Sequence, residues 1–152
     1  MTISLLMPSI TDAISQVTVS GVSMKDADEI SASFAGKSNV FYPNPEGFIT
    51  GFRVANLTFP RGASEKADVS YTLNYRFLGT QIGDLGNMPK AYGDMLDKLM
   101  TLLNAILATD APYSGAVDMT VGNISVGARS DPAGNMYHGA DVALNITEMQ
   151  NP

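Results

Sequence analysis

The chain has 152 residues, of which 45% are hydrophobic and 16% charged, a composition typical of one ordinary globular domain. Nine basic and fifteen acidic residues give a formal net charge of -6, and the basic residues are scattered, which argues against a general nucleic-acid binder. The chain contains no cysteine, which excludes disulfides and thiolate metal sites, and no apolar run approaches a membrane span. We expect a single domain over residues 1–152 and no membrane partner.

The first predicted element is an amphipathic helix. Apolar residues recur at spacings of three and four from Ile3 to Val17, and Pro8 marks either the start of the main helix or a kink within a longer one. The first residues lack the positive region and long apolar core of a secretory signal, and the absence of cysteine fits an intracellular origin. Residues 25–30 are acidic and polar and are predicted to form a loop.

A turn and a bulged strand are expected next. Two prolines and a glycine enforce a turn within residues 42–47, after a short strand at residues 40–42. The β-prone run over residues 48–59 loses its alternation near Gly51 and again near Ala55 and Asn56, which predicts bulges. The polar link over residues 60–66 then predicts a hairpin with a long exposed loop.

The clearest pattern in the chain is the alternation over residues 67–77. Polar residues occupy one parity, and the other parity is apolar throughout, with Val69, Tyr71, Leu73, Tyr75 and Phe77. A period of two indicates a strand with one buried and one solvent-exposed face, so this strand is expected to anchor an antiparallel sheet.

A long helix and two strands complete the predicted fold. After a glycine-containing loop over residues 79–87, Asn87 is a candidate N-cap, and apolar residues recur with helical spacing from Met95 to Leu107. In the next strand the apolar parity switches at Gly122 and Asn123, which predicts a bulge, and a turn over residues 130–135 leads to the last strand. The predicted class is α+β, a mostly antiparallel sheet packed by two main helices.

The residues suited to chemistry are few. His138 is the only histidine, and without cysteine it completes no standard zinc set, so a structural role at a strand edge or interface is favoured over a catalytic dyad. Asp84 and Asp131 lie in glycine-containing stretches that lack the ligand series of a calcium loop, and they are interpreted as turn formers. We therefore predict no catalytic residue, metal or cofactor and no enzymatic activity.

The order of elements resembles that of the tail-terminator proteins of long-tailed bacteriophages, also called tail-completion or minor tail proteins. The resemblance spans nearly the whole chain and is carried by the N-terminal helix, FYPNPEGFITGF, TLNYRFLG, YGDMLDKLMTLLNAIL and YHGADVALNITEM. It implies a ring, usually of six copies, that caps the tail tube, ends tail polymerisation and joins the tail to the head. The implied partners are further copies of the chain, the major tail tube protein and a head-completion or neck protein.

The resemblance also implies a location in the virion, at the head–tail junction, after assembly in the host cytoplasm. DNA would pass through the ring without specific binding, and an acidic surface would suit such a passage. A ring needs two different complementary surfaces on each subunit. We expect them at exposed strand edges and in the loops over residues 60–66, 79–87 and 129–137, with candidate interface residues Arg61, Lys66, Asp84, Arg129, Asp131, Tyr137 and His138.

Within these loops, Arg61 and Arg129 are candidates for ion pairs between subunits, with partners such as Asp84 or Asp131. Two alternatives to the terminator stay open. The first is another neck or tail component, such as a head-closure or tube protein. The second is a small ligand-binding domain or enzyme with a pocket around His138.

Overall fold

The computed structural model describes residues 5–25, 30, 33–34, 37–58, 66–82, 88–108 and 117–150. Two helices are present, α1 (Met7–Ser15) and α2 (Met88–Leu107). The strands are β1 (Ser23–Met24), β2 (Val40–Pro43), β3 (Ile49–Thr58), β4 (Lys66–Gln81), β5 (Val117–Ser130) and β6 (Met136–Gln150). One mixed, mostly antiparallel sheet with two helices confirms the predicted α+β class.

The centre of the sheet is the antiparallel pair of β4 and β6, and β5 lies on the far side of β6. On its other side β4 pairs with both β2 and β3, which lie end to end along the same edge. Asn74 donates its N–H to the carbonyl of Phe48 at 2.8 Å and accepts the N–H of Asn44 at 2.9 Å. β2 and β3 therefore form one nearly continuous strand along β4, and the residues between them loop out of it. The predicted turn thus lies beside β4. The two-residue β1 adds a parallel pairing to β2.

The alternation predicted over residues 67–77 is confirmed by β4. All five apolar residues of that parity are buried, and β6 buries Val142, Leu144 and Ile146 on the same face of the sheet. Both helices cover this face. α2 buries Met95, Leu99, Leu102, Leu103 and Ile106, and α1 buries Ile10 and Ile14. Proline lies in the first turn of α1, so Pro8 marks a helix start and not a kink.

The predicted bulges are present. The register between β3 and β4 shifts once between Thr50 and Arg53 and again between Ala55 and Thr58. In β5 the register against β6 shifts between Val121 and Ile124, where the apolar parity was predicted to switch. Because one extra residue enters the strand there, Val121 and Ile124 both pack against the same core.

Two predicted loops are shorter than expected. β4 continues through Gln81, so Gly79 is a strand residue, and a Cβ there would lie 2.6 Å from the carbonyl oxygen of His138. Glycine at this position permits the close approach of two strands. It is not there to allow a loop conformation. Similarly, Arg129 belongs to β5 and Tyr137 to β6, which limits the turn to residues 131–135. The loop expected at residues 60–66 falls almost wholly outside the described residues, as does the N-cap candidate Asn87.

The opposite face of the sheet carries no helix in the described part of the chain and is mostly polar. At one end a small second cluster covers it, formed by Phe34, Val40, Tyr42, Leu78 and Tyr137, with Ile30 packed against them. The sheet thus has one face buried under helices and one largely open face.

Candidate functional site

Three described strands, β1, β3 and β5, each pair with one neighbour only, and the two long ones, β3 and β5, leave an open edge on each side of the sheet. In the described residues β3 pairs only with β4, and β5 pairs only with β6. A strand at a sheet edge has unpaired N–H and C=O groups that a second chain can bind. These edges lie on opposite sides of one sheet and are different surfaces.

The β3 edge carries three exposed apolar side chains, with Ile49 39%, Phe52 51% and Val54 40% exposed. Ile49 and Val54 lie opposite core residues of β4, and the ring of Phe52 stacks on Tyr71 with centroids 6.2 Å apart. All three therefore lie on the face that the helices cover elsewhere. Val126, at the β5 edge, is also exposed and has the parity of the core-packing Ile124. The two edges thus extend the apolar layer beyond the helices.

The open face carries charges of both signs on its strands. Arginine occurs at three of its described strand positions and aspartate at three more, namely Arg53, Arg76, Arg129, Asp68, Asp118 and Asp141. No salt bridge joins Arg53 or Asp118 to any residue that the structure describes. These two unpaired charges have opposite sign and lie at opposite edges of the sheet.

The ion pair expected for Arg129 forms inside the subunit, with a different partner. Asp141 accepts from Arg129 Nε and from Arg76 Nε, each at 2.8 Å. Arg129 also donates to Ser125 and to the carbonyl of Ala128, so four of its five N–H groups are used within the chain. For Arg76, burial lowers the pKa, but the hydrogen bond to Asp141 and its charge outweigh burial and raise it. The Arg129 guanidinium is thus engaged within the subunit, and its expected ion pair with Asp131 of another subunit stays a prediction.

Asp131 is buried and joins three parts of the chain. Its carboxylate accepts the N–H groups of Ala133 and Asn135 within its own turn and the N–H of Phe34 at 2.8 Å. The Asn135 side chain donates at 2.9 Å, and the Tyr137 hydroxyl lies 3.4 Å away. Burial raises the pKa of Asp131, but these hydrogen bonds together outweigh burial and lower it. Its interpretation as a turn former is confirmed, but its carboxylate is used inside the chain.

Tyr137 and His138 are also buried, so neither side chain is exposed in a loop as the interface hypothesis assumed. Burial and the nearby Asp131 raise the pKa of Tyr137. His138 lies under α2, where its ring meets Tyr92 edge to face with centroids 4.8 Å apart. It belongs to a central strand and not to a strand edge, and its Nδ1 has no hydrogen-bond partner among the described residues.

Of the remaining candidates, Arg61 and Asp84 lie outside the described residues. Lys66 is the first residue of β4, opposite Thr58, and its side chain is not among those described. Their expected roles in subunit contacts stay predictions.

Sequence reasoning missed a buried carboxylate, Glu148, which is 0% exposed. It accepts the N–H of Leu6 at 2.7 Å and the hydroxyl proton of Tyr71 in a short hydrogen bond, so it attaches the start of α1 to the sheet. Burial, followed by this hydrogen bond, raises the pKa of the Tyr71 hydroxyl. A signal was present, because Glu148 shares the parity of Val142, Leu144 and Ile146, which the sequence places in the core.

An open cavity of about 880 Å³ lies on the surface beside α2. Its lining includes Lys90, Asp94, Asp97 and Lys98, and the ammonium of Lys98 donates to the carbonyl of Ser20 at 3.1 Å. Across the described ranges, His, Asp and Glu form no group that could hold a metal ion, and no helix there has the length and apolar character to span a membrane.

Comparison with protein-family models and with curated proteins finds no match to this chain. The geometry of the sheet edges is the observation with the clearest functional consequence.

Proposed function

We propose that this chain is a structural virion protein of a long-tailed bacteriophage, a tail terminator that closes into a ring on the tail tube. The ring would end tail polymerisation and join the tail to the head–neck complex. The observation that supports this best is the pair of open edges on opposite sides of one sheet.

A ring requires head-to-tail contacts, in which one surface of a subunit meets a different surface of the next. The β3 and β5 edges are such a pair, because no further strand among the described residues pairs with either of them and they differ in side chains. The segments that carry the likeness to tail terminators form α1, the β2–β3 edge, β4, α2 and β6. The order of elements and the two different open edges of the sheet therefore both support a ring-forming subunit.

The proposed partners are copies of the chain, usually six to a ring, the major tail tube protein and a head-completion or neck protein. DNA would pass through without specific binding. The described strand positions of the open face fit this, since three arginines and, by strand parity, Lys66 share that face with three aspartates and leave only a small surplus of positive charge for phosphates. The proposed location is the head–tail junction of the virion.

The test is the mass of the purified protein in solution, alone and with tail tubes assembled from the tube protein of the same phage, followed by negative-stain imaging. Closed rings, or density capping tube ends and fixing tube length, are the expected result. A monomer that ignores tube ends at every concentration would overturn the proposal.

The main alternative is a tube or head-closure protein, because open edges also suit continued polymerisation. Open-ended tubes formed by the protein alone would identify a tube subunit, whereas binding to a completed neck without tube capping would identify a head-closure protein. A ligand-binding domain or enzyme is the other alternative. It predicts a monomer or dimer that binds a small molecule in the cavity beside α2 or near His138.

A further inference from the structure

We propose that the β3 edge of one copy pairs antiparallel with the β5 edge of the next copy, so that the sheet continues from subunit to subunit. This inference rests on the proposed ring and names the surfaces that would form it. The occupant of each edge is a second copy of this chain.

Strand direction supports this pairing. Neighbouring strands alternate in direction across β3, β4, β6 and β5, because all three pairings are antiparallel. β3 and β5 therefore run in opposite directions. If a second sheet continues the first in the same orientation, its β5 meets β3 antiparallel, and the helices of both copies remain on the same side.

The side chains on the helix-covered side fit such a contact. Ile49, Phe52 and Val54 extend the apolar layer at the β3 edge. On the same side of the β5 edge, three apolar residues in the segment before the bulge are partly buried against the core, namely Val117, Met119 and Val121. Pairing of the edges would place these side chains in one layer and remove them from water, which favours association.

On the open face the charges are complementary. Arg53 lies on β3 opposite Ser70, and Asp118 lies on β5 opposite Thr147, which places both on the polar side. A β3 edge facing β5 brings these opposite charges to one contact. A two-fold pairing of β3 with β3 would instead bring two Arg53 side chains to the same interface, which is unfavourable for like charges.

Bulges limit the length of the contact. β3 is interrupted twice and β5 once, and a bulge disrupts the regular ladder that an added strand needs. Only short straight segments can pair, such as residues 117–121 of β5. The bulges therefore disfavour the unlimited edge-to-edge strand pairing that causes aggregation. Complementarity of the side chains then selects the partner.

Because the chain has no cysteine, thiol cross-linking tests the proposal directly. Thr50→Cys on β3 and Thr120→Cys on β5 place single thiols on exposed positions of the open face without changing Arg53 or Asp118. The two variants are mixed and treated with a short bifunctional thiol reagent, at high protein concentration and with tail tubes present. Peptide mass spectrometry then identifies the joined residues.

Asn104→Cys, on the exposed side of α2, is the control for random collisions. The expected result is at least about tenfold more product joining Thr50→Cys to Thr120→Cys than either variant gives with Asn104→Cys, because a docked interface raises the effective concentration of the two thiols. Products that join Thr50→Cys only to itself would show two-fold pairing and overturn the proposal. Cross-linking at the control level would overturn it as well.

The outcome is separable from that of the proposed function. Rings that cap tube ends without this cross-link would retain the terminator and reject the β3–β5 contact. The cross-link in assemblies that never cap a tube would retain the contact and reject the terminator.

Discussion

At the scale of single residues, Asp131 shows how a turn former can also organise the interior. Asp131 is followed by Pro132 and Gly134. This pattern predicts a local turn, and the turn is present. The bond to Phe34, which lies 97 positions away, has no local signal. Propensity describes neighbours in sequence, so a carboxylate that binds a distant segment is visible only in the folded structure.

We predict that Asp131→Ala lowers the free energy of unfolding by about 3 kcal/mol, because buried N–H groups lose a charged acceptor. Urea unfolding measures this change. Asp97→Ala, which removes an exposed carboxylate on α2, is the control and should change stability by less than about 0.5 kcal/mol. Equal effects of the two substitutions would contradict the role assigned to Asp131.

The lowered pKa of Asp131 predicts a pH dependence of stability. Because the folded pKa lies below the unfolded value of about 4, the stabilisation is complete above that pH and is lost as pH falls through the folded pKa. The free energy of unfolding should therefore fall on acidification from about pH 5 to about pH 2, and Asp131→Asn should reduce that fall. Asn104→Ala, an exposed substitution on α2 that removes no titratable group, should retain the wild-type dependence. If wild type and Asp131→Asn lost the same free energy of unfolding on acidification, a contribution of Asp131 to the pH dependence would be excluded.

At the scale of secondary-structure elements, two glycines illustrate opposite uses of the same residue. Gly51 lies at a bulge of β3 with a φ of +63°, where a Cβ would contact little but the backbone conformation disfavours other residues. Gly93 lies within α2, has no atom near its would-be Cβ and lacks this backbone requirement.

Gly51→Ala should therefore destabilise the protein by about 1 kcal/mol, while Gly93→Ala should stabilise it by about 0.5–1 kcal/mol through helix propensity. The two substitutions are chemically identical, so each is the control for the other in urea unfolding. Effects of the same sign would show that one of the two backbone assignments is wrong.

Much of the element structure follows from sequence pattern. Period-two alternation identified β4, and lost or switched alternation located the bulges of β3 and β5. The joint edge formed by β2 and β3 could not be predicted, because it depends on backbone bonds to Asn74 across the sheet. The lengths of the loops around Gly79 and Arg129 were overestimated, because glycine also occurs where strands approach closely and polar residues also occur where strands face solvent.

The candidate site was predictable only in outline. Exposed strand edges were expected to form contacts, but which strands lie at the edges follows from β6 entering between β4 and β5. Long-range strand order has no local sequence signal. The interface residues predicted from loop position therefore included three that the structure buries, namely Asp131, Tyr137 and His138.

At the scale of the whole molecule, the charges of the two edges allow a reciprocal substitution. Arg53→Asp and Asp118→Arg should each weaken assembly by bringing like charges together at the proposed contact, and the double variant should restore it. Exposed pairs contribute up to about 1 kcal/mol, so each contact should weaken by up to about fivefold. Sedimentation velocity over a concentration series measures the shift. Failure of the double variant to recover assembly would contradict direct contact between these residues.

The position of β6 has a consequence for synthesis. The strand made last among those described lies in the middle of the sheet, between strands that precede it. While the ribosome is still extending the chain, the strand that lies between β4 and β5 is missing, and Glu148 is not yet present to hold α1. Such late, non-local closure folds slowly and exposes unpaired edges in the meantime. Chains that lack residues 136–150 should therefore depend on chaperones more strongly than chains that include them.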